Sequence, residues 1–177
     1  MDTSKKIANA NPIEYKSYRE NIKSGDLLIW SSPAEKSLSG LILRIIRFFT
    51  FSEYAHVGIA IYIGNRLCVI EAVVSKIQLV PVSSKEEFYH IPMNISWDKD
   101  KETFLLNKLG LSYSIKEAIK AYLNIDLQED DDWQCAELAN RFYRSSGLEF
   151  GKNYTPSSLV KSILSNDYTI KLIKQEL

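Results

Sequence analysis

The chain has 177 residues, and its 22 Lys and Arg balance 22 Asp and Glu, giving a formal net charge of zero. Hydrophobic residues make up 45% and charged residues 25%, which suits a folded globular protein and excludes a disordered or collagen-like one. Without clustered excess Lys and Arg, nucleic acid is not expected as a partner, and two cysteines with two histidines build neither a disulfide framework nor a zinc cage.

At ~100–200 residues per domain, one domain is expected over residues 1–177. Residues 1–24 read as a polar N-terminal extension of mixed turn and helix, and the core as about 25–160. No apolar stretch follows the polar Met1–Lys6, and no run of ~18 apolar residues occurs, so a soluble, cytoplasmic protein is expected.

Asp26 to Trp30 follows Gly25 and reads as a short buried strand. After Ser31-Ser32-Pro33, the residues Leu38, Leu41, Ile42, Ile45, Ile46 and Phe49 recur at helical spacing. Arg44 and Arg47 beside Phe48, Phe49 and Phe51 also suit a helix touching a membrane surface, but a core helix with two solvated arginines is the simpler reading. Ala55–Tyr62 and Leu67–Val74 flank Gly64-Asn65 and predict a β-hairpin. Ile77–Val82 predicts a third strand, near a sheet edge because of Pro81. Phe88–Ile91 predicts a fourth.

From Lys101 the pattern turns helical. Phe104 to Leu109 and Ser114 to Leu123 predict two helices, and Trp133 to Ser146 predicts a third, capped by Gly147. The acidic run Glu129–Asp132 before it reads as a solvated loop. Thr155-Pro156-Ser157-Ser158 opens a last helix with Pro near its first position. Tyr168 to Leu177 is a tail without a clear pattern. The fold class is α+β: a small antiparallel sheet with helices packed against it.

Cys135 falls in the first turn of a predicted helix, where free N–H groups and the helix dipole favour a thiolate and an oxyanion. Cys68 lies inside the apolar Leu67-Cys68-Val69-Ile70 and reads as structural. His56 begins the first hairpin strand. A turn at Gly64-Asn65 sets residue 56 across from residue 73, so Glu71 lies diagonally opposite His56 on the same face. A carboxylate among strand apolars needs such a partner. Thiolate, imidazole and a residue fixing the imidazole are the parts of a cysteine hydrolase. His90, after Glu86-Glu87, has no comparable partner and reads as surface or edge.

Gly25-Asp26-Leu27-Leu28, then His56-Val57-Gly58-Ile59, Gly64 and Ile70-Glu71-Ala72 resemble the papain-like, NlpC-type cysteine amidases. The candidate Cys comes last, as in the circularly permuted branch. Cys135-Ala136-Glu137-Leu138 resembles the Cys-Ser-Glu-Leu type motif of its YiiX-like members, with Ala136 in place of Ser. Gly110-Leu111-Ser112-Tyr113 resembles the Gly-x-x-Tyr step, although Ser114 stands where Asp is usual, and Thr155-Pro156-Ser157-Ser158-Leu159 resembles a later element.

The resemblance implies a permuted papain-like topology and an amidase or peptidase acting through a Cys135 acyl-enzyme. His56 would be general base then acid, and Glu71 the residue orienting it, with no cofactor or metal. Tyr54 and Gln134 are candidate oxyanion or substrate-binding residues. The implied substrate is a small peptide- or lipid-linked molecule, with an amide bond expected. Lipid acyl hydrolysis or transfer is the first alternative and a catalytically silent binding module the second; a solvent-exposed Cys135 would separate enzyme from binding module. Oligomeric state is not legible.

Overall fold

The computed structural model describes residues 11–31, 54–73, 76–111, 135–151 and 155–176. The hairpin is its centre. Strands β3 (His56–Ile63) and β4 (Arg66–Val73) pair antiparallel from Ile63↔Arg66 to Gly58↔Glu71, the register set by a turn at Gly64-Asn65. Gly64 takes φ 58°, a left-handed conformation that glycine adopts without a Cβ penalty. Strand β5 (Lys76–Pro81) pairs with β4 and forms one edge, where Pro81 is tolerated because no further strand needs its missing N–H. On the other side of β3 lies β2 (Leu27–Trp30), then β6 (Glu87–Ile91).

The sheet continues past β6, which sequence patterning did not foresee. Strand β7 (Lys171–Lys174) pairs antiparallel with β6, and β1 (Ile13–Glu14) pairs parallel with β7. The sheet therefore has seven strands in the order β1-β7-β6-β2-β3-β4-β5, with one parallel pair, rather than a small all-antiparallel set. The residues called a tail and an N-terminal extension contribute strands. Strands of two and four residues are too short for period-two alternation to register.

Helix α1 (Tyr15–Tyr18) follows β1; α2 (Lys99–Leu106), α3 (Cys135–Ser145) and α4 (Pro156–Ser165) follow β6 in the chain. The fold is mixed α+β. Alternate strand residues feed two cores. Leu27, Ile29, Val57, Ile59 and Ile70 pack with Leu105, Leu138, Phe142, Leu159 and Ile163 of α2, α3 and α4. Leu28, Trp30, Ala60, Val69 and Phe88 pack with Tyr15, Tyr18 and Ile22 on the other face.

In α3 the buried residues Cys135, Ala136, Leu138, Ala139, Phe142 and Tyr143 recur at three- and four-residue steps, one stripe of a helix. Gly147 takes φ 84° just past its end, as a C-terminal cap does. Helix α4 carries a reciprocal capping box between Thr155 and Ser158, with Pro156 opening the helix. Tyr143 donates its hydroxyl to the Gly25 carbonyl at 3.1 Å, tying the far end of α3 to the start of β2. The expected helices over 38–51 and 114–123, and the acidic run at 129–132, lie outside the described residues. Among the described residues no helix is long and apolar enough to cross a membrane.

Candidate active site

The β3–β4 register places Gly58 directly across from Glu71, and His56 two residues away on the same face. Glycine is needed there for space. A Cβ at position 58 would lie 2.5 Å from Val69 Cγ2 and 3.3 Å from Glu71 Cβ. Two residues along β3, His56 Nε2 lies 3.0 Å from Glu71 Oε2. His56 also hydrogen-bonds the Cys135 side chain, the first described residue of α3. With Nε2 committed to Glu71, the ring has Nδ1 to offer the sulfur. His56 thus joins a residue of the α3 layer to a carboxylate on the opposite side of the sheet. Its ring also stacks obliquely on Trp30, with centroids 5.5 Å apart.

The pair is strongly polarised. Burial alone would make His56 less basic, but the hydrogen bonds and charges of Cys135 and Glu71 outweigh it and raise its pKa to about 9. Burial would raise Glu71, yet its bond and attraction to His56, then to Lys85, bring it down to about 2. Glu71 is therefore a carboxylate and His56 favours the imidazolium form.

Two further residues hold Glu71, and sequence reading missed both. Lys85 Nζ lies 2.8 Å from Glu71 Oε1, and Gln78 Nε2 donates to the same oxygen at 3.0 Å. Gln78 was findable: it lies on the strand expected at Ile77–Val82, which pairs it with Glu71. Lys85 was not, because it sits in the charged run Lys85-Glu86-Glu87, which reads as solvated. It is instead buried, with its ammonium 5.2 Å from the Trp30 ring centroid.

Cys135 is 7% exposed, so the thiol is covered rather than open to solvent as the enzyme reading anticipated. Cys68 is buried in β4, and burial raises its pKa, with Arg66 partly offsetting this. Tyr54 lies in the α3-side core, 1% exposed, with its ring edge-on to Tyr89 and its backbone N–H donating to Ser157 Oγ at 3.3 Å. Gln134 lies outside the described residues.

The reading of His90 as surface or edge is corrected. It is 0% exposed, its Nε2 lies 2.9 Å from Asp26 Oδ2, and its Nδ1 is 3.2 Å from the Tyr18 hydroxyl. β6 lies inside the sheet because β7 covers its far side, and His90 then faces Asp26 at the start of β2. Asp26 also accepts from the backbone N–H groups of Met93 and Lys23. These bonds satisfy a buried polar cluster and knit residues 18–26 to β6.

No protein-family model matches the chain. No curated protein matches it. Among solved structures it is similar to the metalloprotein yiiX from Escherichia coli O157:H7, with a TM-score of 0.53 and 18% sequence identity over 74% of this chain and 70% of that one. The chain has a YiiX-like fold. Among the described residues no group of three or more His, Cys, Asp or Glu is placed to hold a metal ion, and both oxygens of Glu71 are already engaged.

Proposed function

We propose that this protein is a thiol hydrolase that cleaves an amide bond of peptide or isopeptide type, on a circularly permuted papain-like arrangement of a YiiX-like fold. The observation that carries the reading is His56, hydrogen-bonded to both Cys135 and Glu71. In this reading Cys135 gives its proton to His56, and the thiolate attacks the substrate carbonyl carbon. The resulting imidazolium, steadied by Glu71, returns the proton to the departing amine as the C–N bond breaks. A water molecule then loses a proton to His56, attacks the thioester and releases the acid and the free thiol. The start of α3 would lend N–H groups and positive partial charge to the oxyanion.

An electrophilic acyl-type probe, followed by peptide mapping, tests the assignment. The adduct is expected on Cys135 and absent from His56→Ala at matched probe dose. An adduct on Cys68, or equal labelling of His56→Ala, would overturn it. Turnover of an acyl ester with no turnover of a peptide amide would move the reading to lipid acyl chemistry on the same residues.

A further inference from the structure

We propose that Lys85 is a positioning residue of this site: it holds Glu71 Oε1 so that Oε2 faces His56, and its positive charge shifts the reactive range of the Cys135–His56 pair to lower pH. The inference rests on the thiol-hydrolase reading above. A lysine that is 8% exposed is unusual, since burying an ammonium is unfavourable unless it is paired. Among the described residues its acidic partner is Glu71, at 2.8 Å. The face of Trp30 supplies a second attraction to the cation. The same indole lies against His56, so the imidazole and the ammonium share Trp30 as a neighbour as well as Glu71.

The titratable groups facing Glu71 are His56 from β3 and Lys85 from the segment before β6; Gln78 from β5 is neutral, and Cys135 from α3 faces His56. A carboxylate bonded to His56 alone would press its whole charge on the ring and hold the proton tightly. Sharing that carboxylate with a fixed ammonium weakens the hold, which keeps His56 able to release its proton to a leaving amine. Glu71 is held so low, about 2, that it stays ionised throughout the range in which the pair reacts.

The test is the pH dependence of Cys135 alkylation by chloroacetamide in the intact protein, read beside its melting temperature. The rate should rise in two steps, first as the thiolate–imidazolium pair forms and again as the imidazolium loses its proton. Lys85→Gln keeps a donor for Glu71 but removes the charge, and should move both midpoints up by roughly half to one pH unit. Lys85→Arg should restore them. A folded Lys85→Gln protein with wild-type midpoints overturns the proposal. If Lys85→Gln does not fold, the Lys85→Met/Glu71→Gln double variant, which buries no unpaired charge, replaces it. Its midpoints should lie above those of Glu71→Gln alone, and coincidence overturns the proposal. A wild-type profile with one step at the pH of an ordinary thiol would remove the hydrolase reading itself, an outcome distinct from a failure of Lys85.

Discussion

Gly58 and Glu71 are cross-strand neighbours, and a side chain on the first would press on the Cβ of the second, whose carboxylate holds His56. The glycine's φ is ordinary; what matters is volume. Gly58→Ala should therefore act by overpacking, because its Cβ would meet Val69 Cγ2 at 2.5 Å and Glu71 Cβ at 3.3 Å. The expected loss of stability is about 1–3 kcal/mol in urea denaturation. Slower Cys135 alkylation should accompany it as Glu71 is displaced from His56. A variant as stable and as reactive as the parent would show that β4 yields without disturbing the pair.

Cys135 should alkylate faster than Cys68 in the native protein. Exposure does not separate the two, since both are buried. The separation comes from His56, which can take the Cys135 proton, whereas the Cys68 thiol has its pKa raised by burial, an effect Arg66 only partly offsets. His56→Ala should erase the difference. Mass-spectrometric mapping after brief iodoacetamide treatment reads both rates, and equal modification of the two thiols in the native protein would remove the nucleophile assignment.

The hairpin was legible because both its strands are long and its turn is marked by Gly64-Asn65; reflection about that turn then put Glu71 beside His56. Helices α3 and α4 were legible from their apolar stripes and end signals. What escaped was everything that depends on distant pairing. Strands β1 and β7 form only because the two ends of the chain meet, and no local pattern in Ile13-Glu14 announces that. His90 is buried for the same reason. Lys85 looked solvated because a charge run gives no sign of which member turns inward.

Asp26 should prove a structural keystone with no part in the chemistry. It accepts hydrogen bonds from His90 Nε2 and from the backbone of Lys23 and Met93, and all three groups lose this acceptor in Asp26→Ala. Leaving several buried donors unsatisfied should cost about 3–5 kcal/mol. Asp26→Asn, which retains a carbonyl acceptor, should cost less. The urea midpoint measures both. The alkylation midpoints of Cys135 in folded Asp26→Asn should match those of the parent, and a shift comparable to that of a Glu71 variant would mean the two buried His–carboxylate pairs are coupled.

Glu71→Gln separates orientation from charge. The amide keeps the shape and a carbonyl for Lys85, but it cannot stabilise an imidazolium as a carboxylate does. Acylation should slow, by as much as ~10⁴-fold if the residue acts as orienting carboxylates do elsewhere, while Cys135→Ala should abolish acyl-enzyme formation. The stability profile carries an independent sign. The folded His56 pKa, about 9, lies above its ordinary 6.5, so the contribution of this group is complete below 6.5 and is lost as pH rises through about 9. Removing the Glu71 charge lowers the folded value toward the ordinary one. The melting temperature of Glu71→Gln should therefore be lower than that of the parent at pH 6 and should decline less between pH 6.5 and 9. An edge-strand carboxylate without a role in the site forecasts the reverse: unchanged single-turnover acylation and parallel melting curves. Acylation and melting measured on one sample across that range decide between them. Parallel curves with parental acylation would leave a Cys135–His56 dyad with Glu71 outside it.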